Sequence, residues 1–177
     1  MADLELLDCG DGRRRGRFGG VVVDRPAPGA TEPRRDPRAW RAPDLVWLRA
    51  GAGPGRWDRG AEMGPWTVDA DGLRLELRPA AGGQVGVFTE HASTLPWLAT
   101  ATHAIAERLG RVPDLLSLFA YTGAATLACA RAGARVVHVD SSRPAVAWAR
   151  RNAEFSGLAD RPVRWIVDDA RGSSVAS

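Results

Sequence analysis

The chain contains no lysine: all 24 of its basic residues are arginine, set against 21 acids for a net charge of +3 over 177 residues. Arginine without lysine, in a chain rich in alanine and glycine, reads as the coding bias of a GC-rich genome, which weakens a nucleic-acid reading of the positive charge. The charge is also dispersed, with 12 arginines against 9 acids in residues 1–60, 3 against 6 in 61–110 and 9 against 6 in 111–177. Its one cluster, "GRRRGR" at 12–17, reads as a solvated loop, with a phosphate contact the alternative. Cysteine is nearly absent. Cys9 and Cys129 lack CxxC or His spacing, so free thiols in a reducing compartment are expected and a metal site is not. No apolar run approaches the ~18 residues of a membrane span, and the start "MADLELLDCG" has no basic-then-apolar signal pattern. A cytoplasmic protein without a membrane partner is expected.

The composition that is present divides the chain. Residues 1–91 are rich in Gly, Pro and Trp and read as a small, mainly β module. "ELLD" (5–8) and "FGGVVVDRP" (18–26) predict strands around the basic turn. Residues 27–65 show little periodicity but carry Trp40, Trp47 and Trp57, expected to anchor loops to a core or, less well supported, to stack on bases. In "WTVDADGLRLELRP" (66–79), leucines at 73, 75 and 77 alternate with charged residues and Asp71-Gly72 supplies a hairpin turn. "QVGVFTE" (84–90) predicts a further strand.

Residues 92–177 change rhythm. Ser93 as N-cap, Pro96 near the first turn and Gly110 predict a helix, with Leu98, Thr102, Ile105 and Leu109 on one face. His103 has no partner at ligand spacing. Then come a strand at 115–120, a helix at 124–132, a strand at 135–140, a helix at 142–156 and a strand at 163–169. This alternation predicts an α/β fold with a parallel sheet.

Ligands of open parallel sheets bind at the carboxyl ends of the strands, and three features fall there. The turn Ala120 to Ala124 contains Gly123 ahead of a helix N-terminus, suited to a carboxylate or phosphate. Asp140 ends the next strand, where it can accept the hydroxyls of a ribose or cap the helix that follows. Asp168-Asp169 ends the third strand, where an acid can accept from an exocyclic amine. The turn reads A-Y-T-G-A-A, lacking the G-x-G-x-x-G of dinucleotide sites, and no GxxxxGK[ST] occurs. An adenosine without phosphates fits better than NAD or FAD, and S-adenosylmethionine is the obvious ligand of that kind.

"LFAYTGAAT", "HVDSSRPAVAWARRNAEFSGL" and "RWIVDDAR" resemble the first three motifs of class I S-adenosylmethionine-dependent methyltransferases, and more closely the branch containing bacterial 23S rRNA methyltransferases. "GQVGVFTEHA" resembles the segment lining the methionine side of the cofactor in that branch, and "LLDCGDGRRRGRFGGVVVDRPAP" resembles the start of such proteins. The resemblance spans about residues 4 to 171. It implies a partial Rossmann-like sheet, its first three parallel strands preceded by the β module. It implies that Phe119, Tyr121, Thr122 and Gly123 shape the cofactor turn, that Asp140 binds the ribose with Ser141 beside it, that Asp169 or Asp168 faces the adenine, and that Phe88 and Glu90 close the methionine end. Ser117 stands where Asp or Asn is usual, and Thr89 where Pro is. The branch's Asp-Pro-Pro type motif at a fourth strand is not found before "DDARGSSVAS". The expectation is therefore a methyltransferase fragment lacking the catalytic half, its substrate rRNA and its catalytic residues unassigned, with the strand at 115–120 an uncovered edge. A non-catalytic RNA-binding module is the alternative, and a nicotinamide-dependent enzyme a third reading.

Overall fold

In the computed structural model, which describes residues 3–49, 54–58 and 63–171, the chain divides into two compact units. The first comprises residues 1–69 and 77–90, the second residues 70–76 and 91–177. The tail 172–177 lies outside the described residues.

The first unit is built on a sheet with strand order β1 (Leu4–Gly10), β2 (Arg13–Phe18), β3 (Val21–Pro26), β4 (Leu45–Leu48) and β5 (Arg56–Asp58). Neighbours pair antiparallel except β3 and β4, which run parallel. The basic stretch 12–17 is not a solvated loop. Arg13–Phe18 is a strand paired on both sides, and each of its arginines meets an acid. Arg13 Nε lies 2.7 Å and Arg15 Nη2 3.5 Å from the Asp24 carboxylate, Arg14 3.4 Å from Glu90 and Arg17 3.4 Å from Glu5. Arg15 is 1% exposed and also donates to the carbonyls of Ala39 and Arg41 at 2.6 and 3.1 Å. These bonds to Nη1 and Nη2 offset the cost of burying the guanidinium, whose Nε is buried without a hydrogen-bond partner.

Those carbonyls belong to a segment that sequence periodicity left blank. Residues 27–65 contain a 3-10 helix at Pro37–Trp40 as well as β4 and β5. The strands are too short for a period to register, and their pairing is fixed by partners remote in sequence. The tryptophans act as anchors. Trp40 Nε1 donates to Asp8 Oδ2 at 2.7 Å, with Arg15 and Arg34 over its ring. Trp47 is buried edge-on to Trp57 with centroids 5.1 Å apart, and Trp57 Nε1 donates to the Ala80 carbonyl at 2.8 Å. Residues 84–90 are not a strand. Gly86 has φ of 116°, and the bonds from Arg78 N to Val85 O and from Ala80 N to Gln84 O close a turn. Alternation there still reports burial, since Val85 and Val87 are 0% and 1% exposed.

β6 (Trp66–Ala70) and β7 (Leu73–Leu77) form the expected hairpin, with Asp71 and Gly72 at φ 53° and 70°, the left-handed pair of a two-residue turn. Leu73, Leu75 and Leu77 are all buried, and so, against the alternation, is Glu76.

The second unit carries α1 (His91–Leu109), β8 (Asp114–Leu118), α2 (Ala124–Arg131), β9 (Arg135–Asp140), α3 (Arg143–Phe155) and β10 (Val163–Val167). α1 begins two residues before the expected cap, so Ser93 lies within its first turn and Pro96 inside the helix. On its expected face Thr102 is buried, whereas Leu109 is exposed. The sheet order is β10-β9-β8, all parallel, so β8 is an edge of this three-stranded sheet. Leu116 and Leu118 on β8 are 60% and 45% exposed. α3 is bounded as its sequence dictates, by Ser142 as N-cap, Pro144 in the first turn and Ser156-Gly157 after its end. Cys129 is buried against Ala130, Ala134 and Val136, and that burial pushes its thiol pKa up, as for an inert structural cysteine.

Asp8 tests the anchoring of the 35–40 segment. Its carboxylate accepts from Trp40 Nε1 and from the N–H groups of Cys9, Arg35 and Asp36 at 2.7 to 3.1 Å. Replacing Asp8 by Ala should lower unfolding free energy by about 2 kcal/mol in urea titrations, because it strips those donors of a charged acceptor. A change near zero would show that the segment is held without it.

Candidate functional site

β8 ends at Leu118, and α2 begins at Ala124. Between them Phe119, Tyr121 and Gly123 have φ of 52°, 49° and 86°. For the two residues with side chains this left-handed backbone costs on the order of 1–2 kcal/mol each, so other contacts must hold it. Ala120 N donates to Val139 O at 3.1 Å, Tyr121 N to Asp140 Oδ2 at 2.8 Å and Gly123 N to Ala120 O at 3.0 Å. Gly123 is required twice over, by its positive φ and because a Cβ would stand 2.9 Å from the Ala149 Cβ.

Asp140, half-buried at the end of β9, uses both carboxylate oxygens on backbone N–H groups. Oδ2 takes Tyr121 N, and Oδ1 takes Ser142 N at 2.8 Å. It is not the cap of α3. Ser142 has that role, its Oγ accepting from Ala145 N at 3.3 Å. A carboxylate has about four acceptor directions, so each oxygen keeps one for a ligand. Ser141 beside it is exposed. Asp168 and Asp169 are exposed just past β10. The Asp168 N–H donates to the Asp140 carbonyl at 3.1 Å, and Asp168 Oδ1 accepts from Asp169 N at 2.8 Å. The structure thus gathers residues 119–123, 140–141 and 168–169 at the carboxyl ends of three adjacent parallel strands. Phe119 is 65% exposed, while Thr122 is buried.

Phe88 and Glu90 belong to the first unit. There Phe88 is half-buried, and exposed Glu90 meets Arg14 and the Thr89 hydroxyl at 3.4 and 3.1 Å.

Two further polar residues underlie the turn. His138 is 0% exposed on β9, with Nδ1 3.0 Å from Thr126 Oγ1 on α2 and its ring 4.8 Å from that of Trp165. Asn152 of α3 donates to the Thr122 carbonyl at 2.9 Å. Neither lies in a metal or nucleophile pattern. The available signal was a polar side chain at a position whose spacing marks it for burial, such as Asn152 after Ala145, Trp148 and Ala149. Among the described residues no group of three or more His, Cys, Asp or Glu could hold a metal ion, and no helix is long and apolar enough to cross a membrane.

No protein-family model matches the chain. Among solved structures it is similar to an S-adenosylmethionine-dependent methyltransferase from Agrobacterium tumefaciens, with 36% identity and a TM-score of 0.83 over 96% of this chain and 54% of that one. A candidate S-adenosylmethionine-dependent methyltransferase from Streptococcus mutans matches at 16% identity and a TM-score of 0.72, covering 96% of this chain and 47% of that one. SMU.776, a candidate methyltransferase solved with S-adenosylhomocysteine, matches at 15% identity and 0.67, covering 96% and 46%. At these identities the last two show the fold. The chain spans about half the length of the structures it matches.

His138 generates a prediction. Burial, opposed by the nearby Asp140 charge, lowers its pKa from 6.5 to about 4. The unfolded chain then binds a proton that the folded chain refuses. Stability is full above pH 6.5 and falls by about 3 kcal/mol as the pH drops to about 4. Urea titrations across that window should show this slope in the unaltered chain and lose most of it in His138→Gln. An equal slope in the two would remove His138 as its source.

Proposed function

We propose that this chain, which belongs to the class I S-adenosylmethionine-dependent methyltransferases, binds S-adenosylmethionine at the carboxyl ends of β8, β9 and β10. One observation carries the reading. The Asp140 carboxylate is pinned beside a left-handed turn with an acceptor direction left on each oxygen, an arrangement suited to a vicinal diol. In this proposal Asp140 receives the ribose hydroxyls with Ser141 alongside, and Asp168 or Asp169 accepts from the adenine amine. Phe119, Tyr121, Thr122 and Gly123 shape the wall met by the amino-acid end, whose carboxylate faces the N-terminus of α2. Phe88 and Glu90 are assigned to the methionine end by the family resemblance. Residues 92–177 are read as the N-terminal half of the cofactor-binding domain and residues 1–91 as a small β-rich N-terminal module.

When bound, S-adenosylmethionine supplies an electrophilic methyl group. What these residues contribute is orientation, the main lever in a displacement of this kind. A base in rRNA is the proposed acceptor, on the strength of the Tyr-Thr-Gly turn that resembles the rRNA-modifying branch. No catalytic residue is assigned. A non-catalytic RNA-binding role for the first unit is less well supported, because each arginine of β2 is committed to an acid of the chain.

Calorimetry tests the reading. S-adenosylmethionine and S-adenosylhomocysteine should bind and NAD should not. Asp140→Asn, which keeps the shape but removes the charge and replaces one acceptor oxygen by an NH2 donor, should weaken S-adenosylhomocysteine by about tenfold or more. Unchanged affinity in that variant, or tighter binding of NAD, would contradict the assignment. RNA affinity with a steep salt dependence and no response to S-adenosylhomocysteine would favour the binding-module reading.

A further inference from the structure

α3 presents Trp148, Arg151 and Asn152 at helical spacings of three and four, so the three share a face. All three reach a single residue of β7, Glu76. Trp148 Nε1 donates to its carbonyl at 3.0 Å, Arg151 Nη2 to Oε1 at 2.9 Å, and its N–H donates to Asn152 Oδ1 at 2.8 Å. The other end of Asn152 points at the turn, where Nδ2 donates to the Thr122 carbonyl at 2.9 Å. Asn152 is 1% exposed and Thr122 likewise 1%. Both partners of the amide are backbone groups whose donor and acceptor roles are fixed, so only one orientation of Asn152 satisfies them. Beside it the Trp148 ring lies 6.3 Å from that of Tyr121.

We infer that Asn152 is a positioning residue: by holding the Thr122 carbonyl against α3 and β7, it fixes the Thr122–Gly123 peptide, flanked by left-handed Tyr121 and left-handed Gly123, in the geometry that receives the cofactor. The inference rests on the cofactor reading above. The chemistry admits few substitutes. Aspartate has no donor for the Thr122 carbonyl and sets a negative oxygen against it. Leucine fills the space but makes neither bond. Glutamine carries both groups on a stem one methylene longer. Asp140 holds the turn from the β9 side through Tyr121 N, and Asn152 holds it from the α3 side one residue later.

The test uses the whole chain with Asn152→Asp and Asn152→Gln, and with Ala153→Gly as a control that loosens the same helix without touching the turn. Amide hydrogen exchange is read by NMR at Tyr121 and Gly123, and S-adenosylhomocysteine affinity by calorimetry. In Asn152→Asp, exchange at those two amides should rise about tenfold beyond any change shared with the rest of the unit, and Kd should rise about tenfold. Asn152→Gln should recover part of both. Ala153→Gly should lower stability throughout and leave Kd unchanged. Uniform acceleration in Asn152→Asp, or binding no weaker than in the control, would reduce Asn152 to an ordinary core residue and overturn the inference. If the unaltered chain does not bind S-adenosylhomocysteine, the cofactor reading fails, and exchange decides the inference separately: turn-specific acceleration upholds it and uniform acceleration overturns it.

Discussion

The hydrogen bond from the Tyr121 N–H to the Asp140 carboxylate joins two points 19 residues apart, and the candidate site depends on it. Parallel pairing makes the meeting unavoidable. With Leu118 opposite Val139, the residue that ends β9 falls beside the first residues beyond β8. An acid at that register can satisfy a turn whose φ angles would otherwise be poorly populated. The same carboxylate takes the Ser142 N–H and so sets the entry to α3. α3 in turn brings Asn152 back to the turn. Strand, turn and helix are closed in a loop of contacts around one backbone segment, where the proposed adenosine-type ligand is assigned.

The first unit follows a related logic. Asp8 gathers N–H groups from residues 9, 35 and 36 with the Trp40 indole, and Asp24 lies between Arg13 and Arg15. These carboxylates tie the segments together alongside buried apolar residues such as Phe18, Val23, Leu45 and Trp47. A chain without lysine is well supplied for this, since the planar guanidinium fork serves several acceptors at once, as Arg15 does for Asp24, Ala39 and Arg41.

Which parts were legible follows from the range of the forces involved. β9 and α3 lie where the sequence put them, because strand propensity, a serine cap, an early proline and a glycine exit are local signals. The parallel sheet followed from the strand-helix rhythm, and the exposed edge at β8 was expected from the family resemblance, whose fourth strand was not found. β2 was misread because a run of arginines looks solvated until its acids are known, and those come from Glu5, Asp24 and Glu90. β4 and β5 were invisible because three or four residues carry no period. Residues 84–90 alternate like a strand, but Gly86 turns the chain. In the site, Asp140 and Gly123 stood out by position, and their distances did not. Asn152 and His138 were missed because their partners, Thr122, Glu76 and Thr126, are set by packing alone.

The most direct measurement of the central claim is an amide NMR titration of the whole chain with S-adenosylhomocysteine. The account predicts saturable shifts concentrated at residues 119–124, 140–142 and 168–169, the three strand ends that the parallel sheet brings together. Saturable shifts centred elsewhere, with these amides unmoved, would contradict it.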